Sequence, residues 1–586
     1  MSFAALRDRA VFSAAIAIAI SLASGVHAQQ VPAGTAIPGT TSDVQNQVRD
    51  AGERPAQGAL PSVSQEEQAP AAAAGSSTVT FQLNGIAFPD YPPREFTQER
   101  GNFDQISEIY EPFIGTDVTI GGLREIANRI EELYRKEGYL ATRVIIPQQT
   151  ITGGVAELQV HEGRIVHYEV NGDIGPVRKQ IASLLDNLIT NKAARRTDVE
   201  RYLLLARDLP GISLTGTLRN AGDNLPGGVI LVVDTARKPV DGFVQLQNRN
   251  AQATGAFTLS AGAAANSNTE YAERIGGIVL AALELPEQVS GFGSAEMSVG
   301  NDGLVVRLET VYRQAEPGDA LADIDLSIDS LSIKAEAEYP LVRSRNFSLW
   351  TRGGFEFADT RTQTGSEPED TGGDELFDDQ LRVLYGGFKG IWLAPLGGQA
   401  EFDLELRKGL DFFGASGVRS GQRSRFDAEV DFTLVRGEVS YRQPIWPFFE
   451  LYGRAGFQIA NKPLPTYEEM VLGELTFGRG FEPGTITGDS GWATTAEIRF
   501  IPPGMDLTWL DRLEFYGFYD FGRIYDRGQP TGQFFEELHS VGLGTRFQVL
   551  EMLYGDFYIA APQSDGLSTL AEKPDSTVKF TLTQFF

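Results

Sequence analysis

Two patterns of hydrophobic and polar residues divide the chain. In residues 77–238, some stretches place apolar residues at helical spacing and others alternate them with polar residues. The clearest helical stretch is Gly121–Glu137, whose apolar residues fall on one stripe. From Pro239 to Phe586 there is no convincing amphipathic helix, and the segments alternate apolar with polar side chains. The pattern therefore predicts a mixed N-terminal part followed by an all-β C-terminal part.

The mixed part is predicted to form two small domains with the same element order. The first, residues 77–163, has the strand Thr78–Ile86, helices near Phe103–Phe113 and at Gly121–Glu137, and the strands Leu140–Ile146 and Val155–His161. The second, residues 164–238, has the strand Ile165–Val170, the helices Val177–Ile189 and Asp198–Arg207, and the strands Ile212–Leu218 and Val229–Asp234. A repeated β-α-α-β-β order indicates two related domains.

The alternating part, residues 239–586, favours a membrane barrel over a soluble β-sandwich or a β-solenoid. Apolar residues of one parity alternate with residues of the other parity, many of them charged, in segments 401–407, 427–434 and 513–521. A transmembrane barrel places the apolar parity in lipid and the charged parity in a wet lumen. At about 20–22 residues for each strand and its connection, this length gives roughly sixteen antiparallel strands. The aromatic end of the chain at Phe586 suits the closing strand.

The N-terminus carries the features of an export signal. Arg7 and Arg9 precede an apolar stretch at Ala10–Gly25, and a small-residue cleavage site follows, so residues 1–28 are predicted to be a signal peptide. Residues 29–76 are rich in Pro, Ala, Gln and Gly and read as a disordered linker. Within it, Ser42–Pro55 could form a short polar helix.

The amino-acid composition argues against several classes of function. The formal charge of −28 argues against nucleic-acid binding, which needs a basic face. There are no cysteines and only four scattered histidines, so we expect no disulfide, no metal centre, no cofactor and no enzymatic activity. The acidic stretch from Gly365 to Gln380 is predicted to be a long solvated loop.

The loop Gly473–Trp492 is the strongest candidate for a functional site. Glycines flank Arg479 on both sides, so the backbone can adopt conformations that present this arginine at the tip of a folded loop. An ordinary solvated arginine on a surface turn is the competing interpretation. If the lumen is acidic, Arg479 would find a carboxylate there, and Asp520 in the stretch FYDFG is the best candidate.

Five stretches resemble the outer-membrane transporters of two-partner secretion, which export filamentous haemagglutinins and haemolysins. These transporters belong to a superfamily of barrels that carry periplasmic POTRA domains. The stretches are Leu133–Ile165, Asp198–Ile212, Tyr339–Leu349 (YPLVRSRNFSL), Glu468–Trp492 (EEMVLGELTFGRGFEPGTITGDSGW) and Phe518–Gly522 (FYDFG).

The resemblance implies a sixteen-stranded barrel preceded by two POTRA domains. It also implies that Arg479, Gly480 and Phe481 form the tip of the sixth extracellular loop, and that Arg479 pairs with Asp520 beside Gly522. A helix that plugs the pore would fall at Ser42–Pro55. The chain departs from the family pattern at Glu474, where a second glycine is usual, and at Gly478 and Phe481, where valine and tyrosine are common.

The resemblance further implies a pore that exports an unfolded partner exoprotein, an adhesin or cytolysin of β-helical type. The partner would add a strand to the sheet edges of the POTRA domains. The expected edge residues are Arg143, Val144, Ile145, Ile146, Ile212, Ser213 and Leu214, whose side chains would otherwise simply pack the domain cores. Outer-membrane lipid and the barrel assembly machinery are the other expected partners. A membrane-protein insertase of the same superfamily is the main alternative, and a passive porin or an enzyme is less favoured.

Overall fold

The structure, a computed structural model, describes residues 64–65, 80–89, 103–222, 227–364, 374–416, 423–503, 508–527, 535–564, 567 and 573–586. The predicted signal peptide and the possible helix at Ser42–Pro55 lie outside these ranges, as does most of the predicted linker. None of the helices in the described part of the chain is long and apolar enough to cross a membrane.

The first N-terminal unit packs two helices against short strand pairs. Strand β1 (Ser64–Gln65), which falls within the predicted linker, precedes this unit and belongs to the sheet of the second unit. The elements of the first unit are β2 (Thr80–Gln82), β3 (Gly85–Ala87), α1 (Phe103–Tyr110), β4 (Asp117–Thr119), α2 (Ile120–Lys136), β5 (Arg143–Ile145), β6 (Val155–Glu157) and β7 (Gln159–His161). The Thr119 hydroxyl accepts a hydrogen bond from the Gly122 N–H at 3.2 Å and caps α2. Gly138, at φ +94°, follows its end. The predicted stripe of α2 is buried in the core of the unit, with Leu133 at its margin.

The predicted strand Val155–His161 is broken at Leu158. Strand β6 pairs in parallel with β3, whereas β7 pairs antiparallel with β5. The Leu158 N–H donates to the carbonyl of Ala87 at 2.9 Å, so the chain changes partner at this residue. Antiparallel pairing of β2 with β4 completes the unit.

The second N-terminal unit repeats the arrangement with longer strands. Its elements are β8 (Arg164–Asn171), α3 (Arg178–Leu185), α4 (Arg196–Arg207), β9 (Ile212–Asn220) and β10 (Gly228–Arg237). The sheet order is β1-β9-β10-β8, in which β10 runs parallel to β8 and antiparallel to β9. Helix α3 is shorter than predicted, because 3₁₀ turns at Gly175–Val177 and Asp186–Leu188 take its two ends.

The C-terminal part forms a closed antiparallel barrel of sixteen strands, as predicted. Its strands are β11 (Val240–Gln247), β12 (Thr258–Asn266), β13 (Arg274–Ala282), β14 (Gln288–Val299), β15 (Leu304–Ala315), β16 (Leu326–Arg343), β17 (Phe347–Thr364), β18 (Asp374–Leu393), β19 (Gln399–Gly409), β20 (Thr433–Trp446), β21 (Phe449–Ala460), β24 (Ser490–Phe500), β25 (Leu510–Tyr525), β26 (Phe535–Val549), β27 (Leu553–Pro562) and β28 (Thr577–Phe585). A two-stranded hairpin, β22 (Met470–Leu472) with β23 (Ile486–Gly488), lies between β21 and β24. The pairing of β11 with β28 closes the barrel.

The two faces of the barrel strands differ in polarity as the alternation predicts. In β19, Leu406 is 52% exposed on the outer face, whereas the neighbouring Glu405 is 1% exposed on the inner face. The same contrast separates Ile498 from Glu497 in β24 and Phe515 from Glu514 in β25. An apolar exterior and a charged interior are what a membrane barrel requires, because lipid surrounds one face and water fills the other.

Two predictions about the extracellular segments were wrong in part. Strand β20 begins only at Thr433, and Val430 and Phe432 are buried in a cluster with Leu464 instead of facing lipid. Ala428 is buried as well. Their alternation therefore reflects a small core beneath the loops. The predicted acidic loop ends early, because the residues from Asp374 onwards belong to strand β18.

Candidate functional site

Residues 461–489, which we call the lumen loop, fold back between β21 and β24 and seat a tight turn on the barrel wall. The Gly473 N–H donates to the carbonyl of Phe477 at 2.8 Å, which closes the turn. Gly478 and Gly480 have φ of +106° and +96°, a region that side chains disfavour. A β-carbon on Gly478 would lie 2.4 Å from Leu538 of the wall. Glycine is therefore required here both for the turn and for its close seating.

The turn presents Arg479 to two buried carboxylates. Asp520 accepts hydrogen bonds from the Arg479 backbone N–H at 2.9 Å, from Nε at 3.0 Å and from Nη2 at 2.8 Å. Nη1 donates to Glu497 at 2.6 Å. The guanidinium also lies 3.6 Å from the ring centroid of Phe518. Such a forked pair is rigid and strong, because both hydrogen bonds of the fork are charge-assisted.

The alternation of β25 explains why Asp520 points at the loop. Glu514, Phe518 and Asp520 share the inward parity of this strand, and Gly522 continues it. A β-carbon on Gly522 would lie 2.4 Å from Leu472, so this glycine leaves room for the hairpin of the loop. Phe481 is buried beside Leu538 in the same cluster. The structure thus brings Arg479, Gly480, Phe481, Asp520 and Gly522 together in one site.

Glu497 extends this site into a charged network that we did not predict from the sequence. It binds Arg479, Arg499 at 2.9 Å and Arg546 at 3.1 Å. Arg546 in turn pairs with Glu514 at 3.0 Å and with Asp556 at 3.1 Å. The only signal in the sequence was that these residues face inward in β24, β25, β26 and β27, and this does not say which charges meet across four strands.

The part of the lumen loop between β21 and the turn makes a second charged contact with the barrel wall, through Tyr467 and Glu468. Glu468 accepts a hydrogen bond from Arg407 Nη2 at 2.6 Å, and the same nitrogen donates to Glu356 at 2.8 Å. The Tyr467 hydroxyl donates to the other oxygen of Glu356. All four side chains are buried, so the loop is held by charge both here and at Arg479.

A third cluster ties the outer ends of three loops together. Arg425 donates to Glu469 at 2.5 Å, to Asp489 at 2.8 Å and to Asp526 at 2.9 Å. Asp489 also accepts from the backbone N–H groups of Leu464 at 2.7 Å and Arg527 at 2.8 Å. The lumen loop is therefore part of a connected extracellular cover.

Comparison with protein families shows two matches along the chain. Residues 95–163 match the model described as POTRA domain, ShlB-type, and residues 387–547 match the model described as Haemolysin secretion/activation protein ShlB/FhaC/HecB. The chain carries the domains of the haemolysin secretion/activation family. The resemblance to two-partner secretion transporters drawn from the sequence is thereby confirmed.

Individual relatives agree with this family. The heme/hemopexin transporter protein HuxB of Haemophilus influenzae is 23% identical over 461 residues, which cover 76% of this chain and 78% of HuxB. The outer membrane transporter CdiB of Escherichia coli is 22% identical over 399 residues, 66% of this chain and 64% of that protein. The solved structure of Escherichia coli CdiB has the same fold, with a TM-score of 0.70 at 18% identity over 95% of this chain and 100% of that one. CdiB of Acinetobacter baumannii gives a TM-score of 0.60 at 16% identity, over 93% and 97% of the two chains.

These homologues and the barrel place the chain in the outer membrane, with its POTRA domain in the periplasm. The second N-terminal unit docks on the periplasmic turns of the barrel. Arg201 of α4 pairs with Asp302 at 3.0 Å, and Arg343 of β16 forms two hydrogen bonds of 2.7 Å with Asp208. Burial raises the pKa of Asp302, but hydrogen bonds from Tyr339 and Arg201 outweigh it, so this pKa lies below its ordinary value.

A cavity of about 900 Å³ lies between the docked unit and the barrel. Leu205, Asp208 and Leu209 line its periplasmic side. Charged and aromatic residues of the lumen, including Trp350 and Tyr452, line its other side. The cavity therefore opens the lumen towards the POTRA region, at the end opposite the extracellular cover.

The predicted sheet-edge residues fall into two environments. In β5, Ile145 is 40% exposed and Arg143 is exposed, whereas Val144 is buried and its N–H donates to Glu131 at 2.8 Å. Ile146 follows the strand and packs at the margin of the core. In β9, Ser213 is exposed, while Ile212 and Leu214 belong to the core of the second unit. Pairing of β1 with Thr217 and Leu218 occupies part of the outer edge of β9.

Among the described residues, no group of three or more histidine or acidic side chains is arranged to hold a metal ion.

Proposed function

We propose that this chain is an outer-membrane pore that recognises an unfolded partner exoprotein in the periplasm and exports it to the cell surface. The carrying observation is the buried contact of Arg479 with Asp520 and Glu497, which holds a loop inside the lumen of a sixteen-stranded barrel. The loop is buried along most of its length, and the Arg479 contacts fix the position of its tip on the wall. In this proposal the tip leaves the wall when the exoprotein passes.

Recognition in this proposal occurs on the periplasmic side. An extended segment of the exoprotein adds a strand beside Arg143–Ile146 or beside Ile212–Leu214, a part of β9 that does not pair with β1, and then enters the cavity beneath the second unit. Backbone pairing suits an unfolded cargo because it reads strand geometry and requires no particular side chain. An adhesin or cytolysin of β-helical type fits, since its strands form only after export.

Transport in this proposal involves no chemical step catalysed by the chain. The sequence contains no phosphate-binding loop. The relatives HuxB and CdiB are named as transporters. Folding of the exoprotein outside the cell would then supply the direction of movement.

Quantitative proteomics of culture supernatant, cell surface and outer membrane tests the proposal. A strain lacking this chain is compared with strains that carry the wild type or the Arg479→Ala variant. We expect one large exported protein to disappear from the outside in the deletion strain and to fall strongly with Arg479→Ala. The amount of folded barrel, checked by its heat-modifiable migration, should stay at the wild-type level.

The opposite pattern would contradict the proposal. If exported proteins are unchanged but many other outer-membrane barrels are depleted, the chain is an insertase of the same superfamily. If only the uptake of small solutes changes, it is a passive channel.

A further inference from the structure

Glu474 is the acidic residue that directly follows Gly473 in the turn of the lumen loop. Its side chain is fully buried in the lumen loop, five residues before Arg479. A buried carboxylate is unfavourable unless it is paired and hydrogen-bonded. The partners of Glu474 therefore indicate what this carboxylate does in the loop.

Glu474 first acts inside the turn that presents Arg479. Its Oε2 accepts a hydrogen bond from the Gly480 N–H at 3.1 Å, and its own N–H donates to the carbonyl of Phe481 at 3.1 Å. These two bonds hold the Gly480–Phe481 segment of the tip at its N–H and at its carbonyl end. The carboxylate thus helps to hold the shape of the turn.

Glu474 also reaches out of the loop to Arg249 of the barrel. Arg249 Nε donates to Oε1 of Glu474 at 3.2 Å, and Nη2 donates to the Glu474 carbonyl at 3.4 Å. The Arg249 side chain is largely buried, so this ion pair is shielded from water. The loop tip therefore has a charged contact on this side of the lumen in addition to the one at Asp520.

Arg249 lies at the seam where the barrel closes. It follows the end of β11, whose pairing with β28 covers only Phe243–Gln247. The adjacent Asn248 extends that seam: its amide donates to the carbonyl of Val578 at 2.9 Å, and its Oδ1 accepts from the Phe580 N–H at 2.7 Å. Two consecutive residues thus bind β28 on one side and the lumen loop on the other.

We propose that Glu474 and Arg249 form a second lock, which positions the tip of the lumen loop and couples it to the closing seam of the barrel. Displacement of the tip breaks this pair and leaves Arg249 without its carboxylate beside the short β11–β28 ladder. The inference deepens the proposed export function, but its structural content can be measured without any exported protein.

Thiol labelling in this cysteine-free chain tests the second lock. A single reporter, Ala560→Cys, lies under the tip: Ala560 is fully buried, and a β-carbon on Gly480 would come within 3.0 Å of its β-carbon. The full-length protein is reconstituted in liposomes, and its labelling by a membrane-impermeant maleimide is timed. Arg249→Gln, Glu474→Gln and the double variant are compared with the reporter alone.

We expect each single variant to label at least tenfold faster, and the double variant to label no faster than the faster single variant. Such non-additivity is the signature of two residues that act as one pair. Arg274→Gln is the matched control, because Arg274 of β13 binds Asp241 of β11 at 2.8 Å, and this ion pair involves no described residue of the lumen loop. It should label within twofold of the reporter. Arg249→Lys, which keeps the charge but not the fork, should be intermediate.

Labelling of Arg249→Gln at the reporter rate would overturn the proposal, even if Glu474→Gln labels faster, because Glu474 would then act only within its own turn. Equal acceleration by Arg274→Gln would also overturn it, since general loosening of β11 would explain the result. If Arg249→Gln lowers the folded fraction, the labelling rate of Arg249→Lys is used instead, and labelling at the reporter rate would overturn the proposal. If these variants label as predicted but the strain lacking the chain exports its proteins unchanged, the second lock is retained and the proposed export function is rejected.

Discussion

The Asp520→Asn substitution removes one charge from the Arg479 site with almost no change in shape. Asp520 accepts three hydrogen bonds from Arg479 and one from the Ser540 hydroxyl at 3.3 Å. An asparagine offers only one acceptor oxygen, and its NH₂ group would face the donors of the guanidinium. The substitution therefore leaves part of a buried arginine unpaired.

Breaking one partner of a buried ion pair costs about 3–5 kcal/mol. We take the lower end of this range, about 3 kcal/mol, because Glu497 still binds Nη1 of Arg479 at 2.6 Å. The cost does not fall further, since Arg499 and Arg546 share the Glu497 carboxylate. Since about 1.4 kcal/mol corresponds to a factor of ten, the population with a displaced tip should rise roughly 10²-fold.

Single-channel recording of purified protein in planar lipid bilayers measures this change. We expect open events to be roughly 10²-fold more frequent in Asp520→Asn than in the wild type. The control is Asp403→Asn, which removes a lumenal carboxylate that pairs with Arg352 at 2.7 Å, away from the lumen loop. Wild-type opening in Asp520→Asn, or equal opening in Asp403→Asn, would refute the assignment of Asp520 as the anchor of the loop.

Two further predictions concern the seating of the loop and the docking of the second unit. Gly478→Ala should raise the frequency of open events well above Gly484→Ala, because both positions have positive φ but only Gly478 would also bring a β-carbon 2.4 Å from Leu538. Arg201→Ala should speed proteolytic cleavage between the second unit and the barrel by about fivefold, which corresponds to about 1 kcal/mol for a partly exposed pair. Burial raises the pKa of Asp302, but hydrogen bonds from Tyr339 of the barrel and from Arg201 of the docked unit lower it below its ordinary value. The share that comes from Arg201 stabilises docking at neutral pH and is lost as the pH falls through the lowered pKa, so cleavage of the wild type should rise in acid and that of Arg201→Ala should change less.

The barrel was predictable because a period of two along each strand maps directly onto lipid and lumen. Leu404 and Leu406 against Glu405 and Arg407 carry that information without any knowledge of the neighbouring strands. Helix α2 was predictable for a similar reason, since its stripe and its flanking glycine are local. The same local logic failed at Phe432, where alternation marks a core beneath the loops and not a lipid face.

Contacts across the lumen could not be read from local pattern. The loop tip with Arg479 was a reasonable expectation from its flanking glycines. Asp520 was the best candidate for its partner on the lumenal face, and the family resemblance pointed to the same residue. Glu497 and Arg425 were not anticipated, because each meets its partners through the closure of the barrel, over separations that no sequence period records. Glu474 was noted only as a departure, and its partner Arg249 lies 225 positions earlier in the chain.

Site-specific photocrosslinking tests the passage of an exported polypeptide through the lumen most directly. A photoreactive phenylalanine analogue replaces Tyr452, which lines the cavity at the periplasmic end, or its neighbour Leu451, which lies on the lipid face. In cells that secrete the exoprotein, the account predicts a high-mass adduct with the exoprotein from position 452 and none from position 451. Adducts from neither position, or equal adducts from both, would contradict transport through this barrel.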